Sequence, residues 1–401
     1  MRILVHDYSG HPFQVELSRW LSRHGHQTLH LYSASFQTPK GRLEKSDEDP
    51  DSFQIAGLKL KSKFQKYSFV RRRFQELEYG RLLCERIKGF SPDLIISSNT
   101  PLDAQNTLWN FCKKNKIPTI FWLQDIYSVA IKNILREKFG LLGALIGKHY
   151  EDLEKKLLSS SDAIVSISPD FINLLNEWKA PSQNIHVIPN WAPLAELPIF
   201  PKENSWSKEN NLESDFVFLY SGTLGLKHDP ELLLKLAEEF KSEKRVKVLV
   251  ISEGLGADWL NNKKAEIKLD NLIIMNYQDF SVMPKVLASA DVLIAVLEQS
   301  AGVYSVPSKV LTYLCAGKAI LLSVPADNLA ARVVSEAGAG RLADNKSEFL
   351  RSARELFSDE LLRTEMGQKA LNYAQRTFDI DTIGEKFNSV IRSCLKKSEQ
   401  S

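Results

Sequence analysis

Short, nearly continuous apolar stretches alternate along the chain with longer stretches of helical periodicity. RILVHD (2–7) leads through SGHPF, a Gly-containing turn, into FQVELSRWLSRHGH, an amphipathic helix closed at Gly25, and HQTLHLYSA is the next strand. PDLIISS (92–98), PTIFWLQD (118–125) and DAIVSISP (162–169) repeat the pattern, and HVIPNWAP (186–193) closes the first half. Strands without polar alternation are covered on both faces, and strand–helix alternation predicts a parallel sheet with helices on either side.

A second run of the same kind follows: FVFLYSG (216–222), RVKVLVISEG (245–254), NLIIMNY (271–277), DVLIAVL (291–297) and KAILLSV (318–324), separated by helices such as DPELLLKLAEEF. Between the runs, 194–214 is rich in Pro, Asn and Ser, lacks periodicity and reads as a linker. The pattern therefore predicts an α/β chain of two doubly wound, Rossmann-like domains, 1–193 and 215–375. A strandless helical tail at 376–401 is free to pack on either domain, the N-terminal one included. Ligand is expected in the crevice between the domains, at the carboxyl ends of the strands.

A length of 401 residues suits two domains. The balance of 52 Lys and Arg against 49 Asp and Glu, a net +3, argues against a general nucleic-acid binder. Cys84, Cys112, Cys315 and Cys394 form no CxxC pair, which points to a reduced cytoplasmic setting without structural zinc. MRILVHDYSG reads as a strand rather than a secretory signal, and no apolar run approaches the ~20 residues that span a bilayer.

Candidate chemistry sits where strands end. In YSGTLGLKHDPELLL, Gly222 and Gly225 let the backbone approach an anion, with Thr223 beside them, and Lys227 adds charge ahead of a helix that Asp229 is placed to cap. The bland reading is an ordinary βα loop. In AGVYSVPSKVLTYLC, Gly302 and Ser305 precede Pro307, a first-turn proline, so that the N–H groups of Ser308 and Lys309 would face a diphosphate; otherwise Ser305 is a cap and Lys309 is solvated. The N-terminal half offers Gly10 and His11 after its first strand, and Gln124 and Asp125 after PTIFWLQD. Asp379-Ile380-Asp381 is a DxD match in the helical tail, read as a helix cap, so no metal ligand is assigned.

One further stretch stands out. KLKSKFQKYSFVRRRF (59–74) holds seven basic and no acidic residues, interleaved with aromatics. Lys61, Lys63, Phe64, Lys66, Phe69, Arg71, Arg72 and Arg73 are its candidate contacts with an anionic membrane surface, against the plain alternative of a solvated helix face.

Taken together, the Gly-bearing first turn, WLQDIYSVAI, SDAIVSISPDF, VIPNWA, YSGTLGLKHDPELLL, the VISEG strand end, DVLIAVLE and VPSKVLTYLCAGKAIL resemble the glycosyltransferases of family 4, over nearly the whole chain. The branch most similar builds bacterial surface polysaccharides of colanic-acid and O-antigen type. The resemblance implies a GT-B fold, a nucleotide-sugar donor (UDP-linked by default) on the second domain, and a saccharide or lipid-linked acceptor on the first. It also implies retention of configuration without a metal or other cofactor. By the same resemblance Lys227 neutralises the donor diphosphate, Ser308 and Lys309 lie beside diphosphate and sugar, Gly10 leaves room for the donor phosphate, and Asp125 stands near the transferred sugar. Gly254, Tyr277, Gly302, Ser305 and Thr312 complete the expected donor side, and His11 and Gln124 join Asp125 on the acceptor side.

Tyr304 and Thr312 occupy the places of two Glu residues frequent in the family, and Thr223 that of a common Arg, which leaves donor identity open. A nucleotide-sugar epimerase of GT-B-like fold and a non-catalytic scaffold in a polysaccharide assembly complex are the alternatives.

Overall fold

The computed structural model describes residues 1–35, 41–64, 68–225, 228–297 and 308–399. The chain divides into two compact units, 1–189 with 380–401, and 190–379.

The first unit is built on a parallel seven-stranded sheet of β1 (Arg2–Asp7), β2 (Gln27–Ser33), β3 (Phe53–Leu58), β4 (Leu94–Ser98), β5 (Thr119–Leu123), β6 (Ala163–Ser166) and β7 (Ile185–Val187). Its spatial order is β3-β2-β1-β4-β5-β6-β7. Around it lie α1 (Pro12–Arg23), α2 (Phe69–Phe90), α3 (Leu102–Lys114), α4 (Tyr127–Ser159) and α5 (Phe171–Glu177). Every residue of β4, β5 and β6 is buried, the serines and Thr119 included, as expected of central parallel strands covered on both faces. Pro12 opens α1, where its missing N–H leaves no gap in the ladder.

The second unit repeats the design. Its sheet comprises β8 (Phe216–Ser221), β9 (Val246–Ile251), β10 (Leu272–Met275), β11 (Val292–Val296), β12 (Ala319–Ser323) and β13 (Gly340–Leu342), in the order β10-β9-β8-β11-β12-β13. Its helices are α6 (Ser205–Glu209), α7 (Pro230–Glu239), α8 (Leu255–Ile267), α9 (Met283–Ala288), α10 (Lys309–Cys315), α11 (Leu329–Ala337), α12 (Lys346–Ser358) and α13 (Glu360–Thr377). Phe216, Phe218, Phe240 and Phe357 pack ring to ring at one end of its core, with centroids 5.0–5.3 Å apart.

Two segments bear on the expected outline. The 194–214 stretch, read as a linker, carries α6, whose capping box joins Asn204 and Ser207. Its Trp206 is buried and donates to Gln278 Oε1 at 3.1 Å. A helix of five residues is too short to show periodicity. The chain's last helix, α14 (Ile380–Glu399), belongs to the first unit and not to the second-unit helices that precede it. Ile383, Phe387, Val390, Ile391 and Cys394 form its buried stripe, and the Phe387 ring meets Trp122 at 4.7 Å. Asp381, in the first turn of α14, accepts a hydrogen bond from Trp20 Nε1 at 2.8 Å.

Candidate active site

In each sheet the strand order reverses once, between β1 and β4 and between β8 and β11. The connections on the two sides of that point leave to opposite faces, which opens a gap at the carboxyl ends of the strands.

Asp7, the last residue of β1, organises the first gap. Its buried carboxylate accepts from Ser9 N at 3.0 Å, from Asn99 Nδ2 at 3.0 Å and from the backbone N–H of His11, and it faces His11 Nδ1 at 3.5 Å. Burial alone would raise the Asp7 pKa, but the charge of His11 and its hydrogen bonds outweigh it, and the net shift is downward. His11 mirrors this: burial works to lower its pKa, while Asp7 first and Asp125 after it raise it above 6.5. The stability linked to the His11 charge is therefore fully present below pH 6.5 and is lost as pH rises through the higher native value.

Asp125 follows β5 and lies near enough to act on His11. The first N–H groups of α4 are held by Glu154, which accepts from Tyr127 N at 3.1 Å and Ser128 N at 2.9 Å. Burial pushes the Glu154 carboxyl up to about 7, against the pull of those bonds, and Asp125 adds to the rise. Gly10 has φ +78°, open to glycine alone without strain, and Gln124 is buried at the end of β5.

The second gap is centred on Lys309. Its Nζ is buried and has no hydrogen-bond partner among the described residues. It stands 3.6 Å from the centroid of the Tyr220 ring, and burial lowers its pKa well below 10.5. Gly222, with φ +129°, borders it: a Cβ there would lie 3.1 Å from Lys309 Cε and 3.2 Å from Nζ. Tyr313 of α10 ties this helix to the end of β8, its hydroxyl accepting from Ser221 N at 2.9 Å and donating to Ser221 O at 3.1 Å. Tyr220 donates to Thr223 O at 2.6 Å, and the hydroxyls of Tyr277 and Thr223 meet at 3.3 Å. Gly222, Thr223, Tyr277 and Lys309 thus form one cluster of backbone, hydroxyl and ammonium groups.

Ser308 immediately precedes α10, Thr312 lies within it, and Gly254, with φ +103°, immediately precedes α8. Asp229 caps α7 through Leu232 N at 3.3 Å, as the plain reading of that loop had it. Lys227, Gly302 and Ser305 lie outside the described residues, as do Lys66 and the side chain of Phe69. Of the basic-aromatic stretch, Arg72 pairs with Glu76 at 2.6 Å and Arg73 with Asp103 at 3.5 Å, while Lys61, Lys63 and Arg71 are exposed and Phe64 is partly buried.

Asp7, Asn99, Glu154, Tyr220 and Tyr313 escape the sequence reading. Asp7 carried the same signal as Asp125, a carboxylate closing an apolar strand. The others are placed by tertiary contacts alone.

The profile Glycosyltransferase Family 4 matches residues 13–196, and Glycosyl transferases group 1 matches 202–373. The chain belongs to the family 4 glycosyltransferases. Curated proteins yield no match. Among solved structures, sucrose-phosphate synthase from Thermosynechococcus elongatus is similar at 13% identity with a TM-score of 0.71, over 99% of this chain and 100% of that one. Anabaena HepE in complex with UDP and glucose is similar at 14% identity and a TM-score of 0.71, over 98% and 100%. WaaG, a glycosyltransferase involved in lipopolysaccharide biosynthesis, aligns at 14% identity and a TM-score of 0.68, over 97% and 99%. At such identities the likeness is one of fold: the GT-B arrangement of two Rossmann-like domains.

Proposed function

We propose that this glycosyltransferase moves a sugar, with retention of configuration, from a UDP-linked donor held by the second unit to a saccharide or lipid-linked saccharide bound by the first, in surface polysaccharide biosynthesis. The observation that carries the reading is Lys309: a buried ammonium without a hydrogen-bond acceptor among the described residues, beside a glycine that leaves it room. Such a group is costly unless an anion completes it. A nucleotide diphosphate is that anion, and the UDP bound by HepE supports the choice.

In this reading the diphosphate gains negative charge as the glycosidic bond breaks. Lys309, Lys227 and the N–H groups around Gly222 and Thr223 stabilise it. The acceptor hydroxyl attacks from the face the diphosphate leaves, and the departing phosphate oxygen takes its proton. Asp125 stands on the acceptor side with His11 and Gln124 and steadies the positive charge that develops on the transferred sugar. Ser308, Gly254, Tyr277 and Thr312 line the donor, together with Gly302 and Ser305, and Gly10 leaves room for its phosphate.

Peripheral contact with the inner face of the cytoplasmic membrane, through Lys61, Lys63, Arg71 and their neighbours, would bring a lipid-linked acceptor within reach, each basic residue adding about 1 kcal/mol. Among the described residues no helix is long and apolar enough to cross a membrane. The test is transfer of labelled sugar from a panel of UDP-sugars to a lipid extract, with and without EDTA, and NMR assignment of the product's anomeric configuration. Chelator-insensitive transfer with retention is expected. Neither donor hydrolysis nor transfer with any nucleotide sugar would refute the proposal and favour the scaffold.

A further inference from the structure

α4 is not one rod. At Gly140 the backbone takes φ +54° and ψ −126°, and the chain doubles back. The cross-contacts trace an antiparallel hairpin: Tyr127 and Ser128 to Glu154, then Lys132 Nζ to Glu151 at 2.9 Å. A Cβ on Gly147 would lie 2.8 Å from Lys132 Cα, and one on Gly143 would overlap the Leu135 carbonyl. Glycines one turn apart thus let the arms touch backbone to backbone.

So tight a pair has little room for side chains between its arms, and large apolar ones face out at its turn. Ile134, Phe139, Leu141, Leu142 and Leu145 are exposed, Leu141 at 89%. With Val70 and Phe74 of α2 they make up seven of the twelve exposed large apolar side chains described, so the exposure is concentrated and not scattered. The two segments are neighbours: a cleft of about 280 Å³ has Phe64, Arg72 and Arg73 among its lining residues, together with Ala130, Ile131 and Ile134. Residues 130–148 contain Lys132, Arg136, Lys138 and Lys148 against Glu137, but Lys132 and Lys148 both pair with Glu151, so the basic excess comes chiefly from 59–74 with its exposed Lys61, Lys63 and Arg71.

We propose that the turn of this hairpin, residues 134–145, is a wedge that enters the interfacial layer of an anionic bilayer, with the basic residues of both segments at headgroup level. The proposal rests on the membrane-contact reading above and names the element that inserts. Apolar side chains rimmed by cations match an anionic lipid surface. A second copy fits less well, because an isologous contact would bring the same basic excess against itself.

The experiment is sedimentation of the full chain with vesicles of equal parts phosphatidylglycerol and phosphatidylcholine, alongside hydrogen exchange of the 134–145 amides. The wild-type protein is expected to bind and to gain protection at the hairpin. A triple variant, Leu141→Ser, Leu142→Ser and Leu145→Ser, should lose about tenfold or more in vesicle affinity, with thermal stability and transfer to a soluble acceptor unchanged. An Arg71→Gln, Lys61→Gln, Lys63→Gln variant should lose only the salt-sensitive part of binding. If the wild type ignores vesicles, the membrane reading and the wedge fall together. If the wild type binds and the serine variant binds equally, only the wedge falls. A wild-type dimer that the serine variant dissolves would assign the patch to a second copy and overturn the proposal.

Discussion

Replacing Lys309 by Met keeps an unbranched side chain, one atom shorter, and removes its charge and donors. In the free protein the Nζ has only the Tyr220 ring beside it among the described residues. Relieving a buried, unsatisfied polar group is worth about 1–3 kcal/mol. Lys309→Met should therefore raise thermal stability, by roughly 2–4 °C for each kcal/mol in a domain of this size. Binding should move the other way. A charge-assisted hydrogen bond to a diphosphate contributes about 1.5–3 kcal/mol, so UDP affinity should fall about 10- to 150-fold. The wild-type protein carries a second signature. Burial lowers the Lys309 pKa and a bound diphosphate raises it again, so in the pH range between the free and bound values UDP binding takes up protons and weakens as pH rises. Calorimetry in buffers of different ionisation enthalpy, paired with thermal unfolding, reads all three effects. A variant that is less stable than wild type yet binds UDP equally well would refute the assignment of Lys309 to the donor phosphate.

Other expectations follow from the packing and charges of the first unit. A Cβ on Gly384 would sit 2.2 Å from the Trp20 ring, so Gly384→Ala should lower stability by about 1–3 kcal/mol in denaturant unfolding, by forcing α14 off α1. Burial holds His6 near a pKa of about 3 and His30 near about 4, so each stays neutral when folded but charges below pH 6.5 when unfolded. Between pH 6.5 and about 4 each should remove about 1.4 kcal/mol of stability per pH unit, and His30→Gln should flatten that slope. Asp7→Asn removes the largest influence raising the His11 pKa, so the His11 titration followed by NMR should move to lower pH; an unmoved midpoint would contradict the pairing.

Most of the architecture was legible because buried parallel strands carry an unmistakable signal: RILVHD, LIISS, TIFWL and VKVLVI have little or no polar alternation, and both faces are covered. The strands that escaped lack it. β3 is half-buried and contains a glycine, and β13 is three residues long. The hairpin of α4 was hidden for a related reason: GLLGALIG continues a helical composition, and the reversal at Gly140 is fixed by contacts that sequence spacing does not display. At the site, Gly222, Thr223 and Lys309 stood out as polar or small residues after apolar strands. Tyr220 and Tyr313 read as ordinary core, although one faces the Lys309 ammonium and the other ties α10 to β8. Charge and flexibility announce themselves along a sequence, whereas the aromatic frame that orients them does not.

The central claim is that the second unit holds a nucleotide diphosphate against the Lys309 ammonium and the turn after β8. A crystal structure of the protein with UDP tests it most directly. The diphosphate is expected within hydrogen-bond distance, about 2.7–3.2 Å, of Lys309 Nζ and of N–H groups in the Gly222–Thr223 turn. UDP bound elsewhere, with Lys309 still directed only at Tyr220, would contradict it.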